Sequence, residues 1–426
     1  MKYVAHLQCL ICGKKYSPQQ VDYVCPRHGN EGILDVAYDY ERIRRDLPRG
    51  KLASSADWSM WRYKALLPVK PASPVPPLSV GWTPLQPLPA LKESMGLAEV
   101  WLKDDGRQPT ASFKDRASAL AVVKAREGGA RIITTASSGN AAAALAGLCA
   151  SLQQANLIFV PRSAPQAKIT QLLVYGSTVM LVEGSYDEAF NLCLQAAAEY
   201  GWYNRSTGFN PYMSEGKKTA AYEICEQLGW KAPGAVLVAV GDGCIIGGLH
   251  KGLKDLKALG WIDRMPRLIG VQAAGSDFLV QAWENDEDVL SKAPLVARTV
   301  ADSIRVGLPR DRIKAMAAVR QSGGAFIRVS DERILEAIPA LARCSGVFAE
   351  PAGAAAFAGL GKALEQGLVQ KKERIVVVNT GNGLKDIPSA VRSVQAAGGK
   401  AHSVEPNLES LRRVITRQGA EEAMPE

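Results

Sequence analysis

The sequence has no long uninterrupted apolar run, and none of its runs approaches the roughly 18 residues that a membrane helix needs. The first residues, MKYVAHLQCL, also lack the charged-then-apolar layout of a secretion signal. Although the net charge is +9, the basic residues form no dense run, so the pattern does not favour nucleic-acid binding. We therefore expect a cytoplasmic protein that binds neither membranes nor nucleic acid and whose positive charge suits acidic small molecules.

Length and composition predict a globular protein of about two or three domains, because 426 residues with an apolar fraction of 47% supply sizeable cores. Five of the eight cysteines are scattered singly, as expected for the reduced thiols of a cytosolic enzyme. These five are Cys149, Cys193, Cys225, Cys244 and Cys344.

The other three cysteines lie close together near the N-terminus. Cys9, Cys12, Cys25 and His28 form a C-x2-C, x12, C-x2-H pattern. Four such ligands in two closely spaced pairs can close a tetrahedron around zinc and hold together a segment too small for its own core. We predict a zinc-ribbon-like segment over residues 1–40. The alternatives are a ribbon that has lost its metal, or a merely solvated His28 beside three free cysteines.

A proline-rich stretch follows the ribbon. The segment LPVKPASPVPPLSVGWTP carries six prolines from Pro68 to Pro84, and it favours neither a helix nor a central strand. We predict an arm and linker over residues 41–80, a catalytic region over 81–402 and a C-terminal tail over 403–426 that is too short to form a domain.

From about residue 100, short β-branched runs alternate with longer helical ones, which indicates parallel α/β architecture. In such sheets the ligand lies beyond the carboxyl ends of the strands, so the loops after these runs are the candidates for the site. The predicted strands are EVWLK (99–103), RIITTA (131–136), NLIFVP (156–161), TVMLVEG (178–184), AVLVAV (235–240), RLIGVQA (267–273) and RIVVVNTG (374–381).

One of these loops carries a lysine in an unexpected place. The stretch PTASFKDRAS is predicted to enter a helix, which puts Lys114 in the first turn, where the partial positive charge of the helix end opposes a cation. Lys114, beside Arg116, should therefore favour its neutral amine, the form that acts as a nucleophile and a base. The position predicts a chemical role for this lysine.

A second loop, at Ser137, Ser138, Gly139 and Asn140, leads into a helix of small residues. Its free backbone N–H groups can hold a carboxylate or a phosphate; the alternative is a plain N-cap on a tightly packed helix.

A third loop, GDGCIIGG from Gly241, can wrap one phosphate. A dinucleotide fits this loop less well, because the glycine spacing is not G-x-G-x-x-G and no acidic residue follows at the distance a ribose requires.

Thr380 ends the last predicted strand next to glycines, where its hydroxyl can donate one hydrogen bond to a ligand. The alternative is a turn residue whose hydroxyl is bonded to the backbone.

A lysine, a carboxylate site, a single-phosphate site and a strand-end hydroxyl together match pyridoxal 5'-phosphate with an amino-acid substrate. The aldehyde needs an amine, the phosphate a glycine loop and the ring nitrogen a polar partner.

Seven motifs carry a resemblance that spans nearly the whole chain after residue 80. They are WTPL, KDDGRQPTASFKDR, TASSGNAAAALAGL, FNPYMSEGKKTAAYEICEQLGW, VGDGCIIGGLHKGLKDL, GVFAEPAGAAAFAGL and NTGNGLKD. In their order and spacing the sequence resembles the threonine synthases of the β-family (fold type II) of pyridoxal-phosphate enzymes. The resemblance implies a tryptophan synthase β-like α/β fold, with two lobes built on parallel or mixed sheets. It also implies that the smaller, mobile lobe lies near residues 115–210.

The same resemblance implies roles for the candidate residues. Lys114 would form the Schiff base with the cofactor and act as the catalytic base. The other cofactor-binding residues would be Asn140 at the 3'-oxygen, Gly241, Asp242, Gly243, Cys244 and Ile245 at the phosphate, and Thr380 at the pyridine nitrogen. The substrate would be bound by Ser137, Ser138, Gly139 and Lys217, with Lys103, Ser112, Arg116, Asn210 and Glu215 in motifs near it. The sequence departs from the usual pattern at Gln108, where asparagine is frequent, and at Met213, where arginine is frequent.

The activity implied is conversion of O-phospho-L-homoserine and water to L-threonine and phosphate by a homodimer. Three alternatives stay open at this point. They are a threonine or serine dehydratase, a replacement enzyme that acts on O-phosphoserine, and a non-enzymatic cofactor-binding or zinc-ribbon protein in which Lys114 is idle.

Overall fold

The computed structural model describes residues 1–164 and 166–417, so part of the predicted C-terminal tail, residues 418–426, lies outside the described residues. The strands are β1 Val4–Cys9, β2 Lys15–Tyr16, β3 Leu34–Tyr38, β4 Leu85–Pro87, β5 Glu99–Asp104, β6 Ile133–Ala136, β7 Asn156–Pro161, β8 Thr178–Val182, β9 Tyr203–Asn204, β10 Ala235–Ala239, β11 Arg267–Ala273, β12 Ala325–Val329 and β13 Arg374–Asn379.

The helices are α1 Tyr40–Asp46, α2 Gly50–Ala53, α3 Pro89–Met95, α4 Lys114–Glu127, α5 Asn140–Ala150, α6 Gln166–Val174, α7 Tyr186–Tyr200, α8 Tyr212–Lys217, α9 Thr219–Gln227, α10 Cys244–Ala258, α11 Phe278–Glu284, α12 Arg312–Ser322, α13 Asp331–Ser345, α14 Pro351–Glu365, α15 Ile387–Ala396 and α16 Leu408–Arg417. Short 3-10 helices span Gly29–Glu31, Met60–Leu66, Asp105–Arg107, Asp302–Ile304 and Gly383–Lys385. Within the described ranges, every helix is too short or too polar to cross a membrane.

Three sheets organise these elements. The N-terminal sheet is antiparallel, in the order β2-β1-β3. The largest sheet has the order β12-β11-β10-β13-β5-β4 and is parallel except for β4, which runs antiparallel to β5. The third sheet is parallel, in the order β8-β7-β6-β9. These are the parallel and mixed sheets expected for fold type II.

All seven strands predicted from the sequence are present, and their ends differ from the prediction by at most two residues. The prediction missed β4, β9 and β12. The first two are only three and two residues long and take their extended form from a longer neighbour, while β12 pairs in parallel with β11 at the sheet edge. The apolar pattern of these short segments is too weak to predict a strand, because their extended conformation depends on pairing with a neighbouring strand.

The central strands β10 and β13 are buried on both faces, which explains their continuous apolar sequences. Val236 and Val376 pack into one hydrophobic core, while their neighbours Leu237 and Val377 pack into another on the opposite face of the sheet. Because side chains alternate across a strand, each strand contributes to both cores. The loops at the carboxyl ends of these strands therefore start from a rigid base.

The N-terminal segment packs on the catalytic region through polar contacts. The hydroxyl of Tyr23 accepts a hydrogen bond from the backbone N–H of Asn204 at 3.0 Å, at the end of β9. On β3, the carboxylate of Asp35 pairs with Lys251 of α10 at 3.2 Å. The segment predicted as a zinc ribbon is thus joined to two elements of the region that carries the candidate site.

Candidate active site

A cavity of about 760 Å³ opens at the carboxyl ends of β6, β10 and β13, where a ligand is expected in an α/β fold. The lysine at the start of α4 also lies in its wall. Of the residues predicted for the site, the following line this cavity: Lys114, Ser137, Ser138, Gly139, Asn140, Gly241, Asp242, Gly243, Cys244, Ile245 and Thr380. The fold therefore brings together loops that are up to 266 residues apart, from Lys114 to Thr380.

Lys114 is the first residue of α4, as the sequence predicted, and its amine makes no hydrogen bond or ion pair in the described part of the chain. Burial lowers its pKa, and the nearby guanidinium of Arg205 adds to the effect, while Cys244 and Asp242 oppose it. Arg116, which we expected to act on Lys114, instead binds carboxylates behind the cavity wall. The predicted direction is confirmed, but the physical cause is mainly loss of solvent.

The glycine loop after β10 leaves its backbone donors free. The N–H groups of Gly241–Ile245 donate to no other group within the described ranges. Gly243 has φ +87°, and a Cβ there would come within 2.7 Å of the Cβ of Ala315. The loop is thus tightly folded with its donors unpaired at the start of α10, the arrangement that binds a phosphate.

In the loop after β6, the backbone N–H groups of Ser138 and Asn140 donate to no group in the described residues, whereas that of Ser137 donates to the carbonyl of Phe159 at 3.1 Å. No side chain caps α5, so the plain N-cap considered from the sequence is not the arrangement found. The Ser137 hydroxyl accepts from the N–H of Gly139 at 3.1 Å. The side-chain amide of Asn140 donates to Glu350 Oε1 at 2.7 Å and to Ser303 Oγ at 3.1 Å.

Thr380 is 7% exposed and follows β13 directly. Its carbonyl accepts from the N–H of Phe113 at 3.0 Å, which ties the strand end to the residue before Lys114. Its hydroxyl makes no hydrogen bond to the backbone in the described residues, so the ordinary turn role is not observed. The hydroxyl is available to a ligand in the cavity.

Sequence reasoning missed Glu350, which is the residue immediately before α14 and is 5% exposed. Burial raises the pKa of its carboxyl, and Lys385 together with the amide of Asn140 opposes the rise. The motif GVFAEPAGAAAFAGL contained the signal, since a glutamate stands immediately before a helix that opens with proline and small residues. What could not be read from the motif is that this carboxyl faces Asn140, 210 residues earlier.

These donors and acceptors fit pyridoxal phosphate. Among the described residues, the cavity wall offers an amine, a strand-end hydroxyl and a set of N–H groups at a helix start that have no partner, together with the Asn140 amide, which donates to Glu350 and Ser303. The residues that would hold the group are Lys114 at the aldehyde, Gly241–Ile245 at the phosphate, Asn140 at the 3'-oxygen and Thr380 at the ring nitrogen.

Lys217, predicted to bind the substrate, does not itself line the cavity. Its side chain is fully buried, and its amine lies 3.4 Å from Oγ1 of Thr207, a residue of the cavity wall. Burial lowers its pKa to about 8, and the positive charges of Lys114 and Arg205 add to the shift. The structure therefore places Lys217 directly behind the wall.

Lys103 and Arg116, which lie in motifs near the expected substrate site, form a buried charge network with acidic partners. Lys103 Nζ donates to Glu223 Oε2 at 2.7 Å, and Arg116 Nη2 donates to the same oxygen at 2.8 Å. Arg116 Nε also donates to Asp105 Oδ2 at 2.6 Å. All four side chains are fully buried, so these cations are engaged in holding the fold together.

The remaining residues of those motifs also lie away from the cavity wall. The Asn210 amide donates to the carbonyl of Asn204, Glu215 accepts from the Tyr38 hydroxyl, and Ser112 is bridged to Gly381. Of the two departures from the family pattern, Gln108 accepts from the N–H of Gly81, and Met213 is fully buried in a hydrophobic core.

The four predicted zinc ligands converge. The sulfur and nitrogen atoms of Cys9, Cys12, Cys25 and His28 all lie within 4.8 Å of one another. Burial disfavours the Cys25 thiolate, but hydrogen bonds, led by that from the Tyr16 hydroxyl, lower its pKa to about 6. Zinc with bonds of about 2.3 Å to sulfur needs tetrahedral ligands about 3.7 Å apart, so a modest contraction of this cluster fits the metal.

Comparisons with known proteins agree with this site. A family model described as pyridoxal-phosphate dependent enzyme matches residues 77–381. The threonine synthase of Methanocaldococcus jannaschii is 37% identical over 411 residues, which cover 96% of this chain and 98% of that protein. The threonine synthase of Methanosarcina acetivorans is 36% identical over 416 residues, with the same coverage of 96% and 98%. The solved structure of the processed form of threonine deaminase isoform 2 from Solanum lycopersicum is similar with a TM-score of 0.64, at 25% identity, over 74% of this chain and 83% of that chain.

Proposed function

Because the chain belongs to the threonine synthases, within the family of pyridoxal-phosphate dependent enzymes, we propose that it converts O-phospho-L-homoserine and water to L-threonine and phosphate. The reaction breaks the bond between Cγ and the phosphate oxygen and places the hydroxyl of water on Cβ. The observation that carries the proposal is Lys114, whose amine has no partner among the described residues and which shares one cavity with the N–H groups of Gly241–Ile245 and of Ser138.

When bound, pyridoxal phosphate supplies an electron-accepting ring that stabilises negative charge at the substrate Cα. Lys114 does the proton chemistry, because the burial that lowers its pKa favours the neutral amine, which takes a proton from carbon and returns it. With the cofactor bound, the Thr380 hydroxyl would donate a hydrogen bond to the ring nitrogen but, unlike an aspartate, would not favour a proton there. Ser137, Ser138 and Gly139 hold the substrate carboxylate and orient the Cα–H bond.

Two measurements test the proposal. The purified protein with cofactor should show the visible absorption of a lysine-bound cofactor, and Lys114→Ala should lose that band. With O-phospho-L-homoserine it should release phosphate and form threonine in equal amounts. The same assay run with threonine and with O-phosphoserine tests the other reactions of this enzyme class.

Ammonia release from threonine without turnover of O-phospho-L-homoserine would make the chain a dehydratase and refute the proposal. Absence of the absorption band after cofactor is supplied would refute the whole class of activity. Persistence of the band in Lys114→Ala would assign the amine to another lysine.

We also propose that the ribbon binds one structural zinc ion through Cys9, Cys12, Cys25 and His28, supported by the convergence of the four ligand atoms. Metal analysis of the wild type should find one zinc per chain, and Cys9→Ser should lose it. The matched control is Cys149→Ser, since Cys149 is a buried cysteine that does not belong to the cluster. Equal metal content in all three proteins would contradict the proposal.

A homodimer and a cytoplasmic location are further proposals. Dimerisation is supported by α15, on which the partly exposed Ile387, Val391 and Val394 follow one another at helical spacing and so share one face. The location is supported by eight cysteines that form no disulfide in the described residues. Light scattering of wild type and Val391→Glu tests the dimer, and the same mass for both proteins would count against this face.

A further inference from the structure

Tyr23, a residue of the predicted ribbon, covers the free edge of the four-stranded sheet. Among the described strands β9 pairs with β6 alone, and on that side the N–H groups of Tyr203 and Arg205 donate to backbone carbonyls at 3.0 and 2.9 Å. Because successive N–H groups of a strand point in opposite directions, that of Asn204 points away from β6. It donates to the hydroxyl of Tyr23 at 3.0 Å. The ribbon thus supplies an acceptor at the edge of this sheet.

The hydrogen bond between Tyr23 and Asn204 is buried. Asn204 is 0% exposed, so water does not replace the phenol oxygen, and loss of the acceptor favours a local rearrangement of the strand end. The same residue holds the turn that follows, because its carbonyl accepts from the Asn210 amide at 2.8 Å and its Oδ1 accepts from the N–H of Ser206 at 2.7 Å. A shift at Asn204 therefore changes the whole turn.

The ring of Tyr23 also contacts both ends of this turn. Its centroid lies 5.9 Å from that of Tyr203, in an edge-on arrangement, and 5.1 Å from that of Phe209. Between these two aromatic residues lie residues 205–207, all of which line the active-site cavity. Tyr23 therefore holds a segment of the cavity wall, residues 204–209, from the outside.

On its other side the wall segment is packed too closely to move independently of the cavity. A Cβ added at Gly208 would come within 2.4 Å of the Cβ of Arg310, which also lines the cavity. The N–H of Arg310 in turn donates to Oδ1 of Asp242 in the glycine loop at 3.2 Å. A displacement of the wall segment is therefore passed on to the cavity lining.

The ribbon fixes the position of Tyr23 and is itself fastened at a second place. Val24, the next residue, forms an antiparallel bridge with Ile33. Between them Glu31 forms an ion pair with Arg312, the first residue of α12. This ribbon loop thus contacts the catalytic region next to each of the two packed segments, at residues 204–209 and at the start of α12.

Within the described ranges, the residues that line the cavity all lie at or after Lys114, so the ribbon acts on the site only through the segments it contacts. We infer that Tyr23 is a positioning residue for the active site, and that the ribbon takes part in substrate binding by holding residues 204–209 in place. The effect on substrate binding rests on the proposed function. The positioning of the wall segment does not, because it follows from the contacts of Tyr23.

The test uses Tyr23→Phe holoenzyme, which keeps the ring and removes the acceptor. The Michaelis constant for O-phospho-L-homoserine should rise about 5-fold, equivalent to about 1 kcal/mol, the usual contribution of one hydrogen bond. The turnover number should change by less than about 2-fold, since Tyr23 makes no hydrogen bond to α4, which carries Lys114, in the described residues. Tyr23→Leu, which also removes the ring, should raise the Michaelis constant by more than about 10-fold.

The matched control is Tyr3→Phe. The Tyr3 hydroxyl donates to Asp46 Oδ2 at 3.2 Å, at the end of α1 and outside the catalytic region. This variant loses a hydrogen bond of the same kind from the same segment of the chain. It should leave the Michaelis constant within about 2-fold of the wild-type value.

Hydrogen exchange followed by mass spectrometry tests the positioning without any substrate. Peptides that span residues 203–209 should exchange about 5-fold faster in Tyr23→Phe than in wild type, and at the wild-type rate in Tyr3→Phe. Peptides from β12, at the edge of the other large sheet, should exchange equally in all three proteins. This comparison separates a local loosening of the wall segment from a loss of overall stability.

Three results overturn the inference. Unchanged exchange of residues 203–209 in Tyr23→Phe would show that the phenol does not hold this segment. Equally faster exchange in β12 would show a general loss of stability. Faster exchange of residues 203–209 with unchanged Michaelis constants in both Tyr23 variants would make the contact purely structural. If the exchange results are as expected but wild type does not turn over O-phospho-L-homoserine, the proposed function fails and the positioning of the wall by Tyr23 stands.

Discussion

Substitution of Glu223 by glutamine should destabilise the protein more than most single changes, because Glu223 compensates two buried cations at once. It accepts from Lys103 at 2.7 Å and from Arg116 at 2.8 Å, and all three side chains are fully buried. Glutamine has nearly the same size, so the perturbation removes the charge while leaving the packing in place. Asp105 still pairs with Arg116, but Lys103 loses the only carboxylate with which it forms an ion pair in the described part of the chain.

The magnitude follows from two routes. Breaking a buried ion pair by removing one partner lowers the free energy of unfolding by about 3 to 5 kcal/mol. Although burial itself opposes the charged form of Glu223, the positive charges of Arg116 and Lys103 hold its pKa at about 2, below the usual value of 4.5. That difference corresponds to about 3 kcal/mol of stability at neutral pH. The two routes agree.

The sign of the pH dependence is fixed by the direction of the shift. A carboxyl whose folded-state pKa is depressed contributes its full stability above pH 4.5, and the contribution is lost as the pH falls towards 2. The stability gap between wild type and Glu223→Gln should therefore be largest at pH 7. It should narrow by about 1 to 2 kcal/mol by pH 3.5.

Urea unfolding followed by tryptophan fluorescence measures both effects. The matched control is Glu336→Gln, because Glu336 pairs with Arg333 at 3.1 Å on the surface, with both side chains more than half exposed. The control should change stability by less than about 0.5 kcal/mol. A loss below about 1 kcal/mol in Glu223→Gln, or a stability gap that does not vary with pH, would show that Glu223 does not stabilise the two buried cations.

Three further predictions follow from other parts of the structure. Gly216→Ala should lower the free energy of unfolding by about 3 kcal/mol or more, because the new Cβ would clash with the backbone carbonyl of Arg116. The control Gly361→Ala, in a helix with open space around the position, should raise it by about 0.5 to 1 kcal/mol. Equal urea midpoints for the two variants would contradict this. Burial, with Lys254 nearby, lowers the pKa of His250 to about 4. The free energy of unfolding of wild type should therefore fall by about 2 to 3 kcal/mol between pH 7 and pH 4.5. Urea unfolding at the two pH values should show no such loss in His250→Leu. Thr380→Val should weaken binding of pyridoxal phosphate about 10-fold in an absorbance titration and Thr380→Ser should not; equal affinities would show that the hydroxyl does not contact the cofactor.

Sequence reasoning identified the strands and loops of the site because both have local signals. The central strands are buried on both faces, so they read as uninterrupted apolar runs, and the loops that follow them carry glycines, hydroxyls and a lysine. Lys114, Asn140, Gly243 and Thr380 accordingly line one cavity, as predicted. Glu350 was missed although its motif was recognised, because the motif does not reveal which side chain it faces.

Charged residues were harder to place. Lys103 and Arg116 lie in motifs near the substrate, but their partner Glu223 is 120 and 107 residues further along the chain, and it turns both cations into part of the protein interior. Arg205 has no distinctive motif, and only the structure shows that it lies in the cavity wall with one guanidinium nitrogen unpartnered among the described residues. A sequence shows which residues are charged, but it does not show which of them form ion pairs in the folded protein.

The α/β class, the glycine loop, the lysine at the start of α4 and the spacing of the ribbon ligands could be predicted from the sequence, because each depends on residues within a few positions of one another. Which cations are paired and which face the cavity became visible only in the folded chain. Backbone preferences are local, whereas the energy of a buried charge depends on the groups that the fold brings within hydrogen-bonding distance. Lys114 and Arg116, two residues apart on one helix, therefore end in different roles, one open to the cavity and one enclosed by carboxylates.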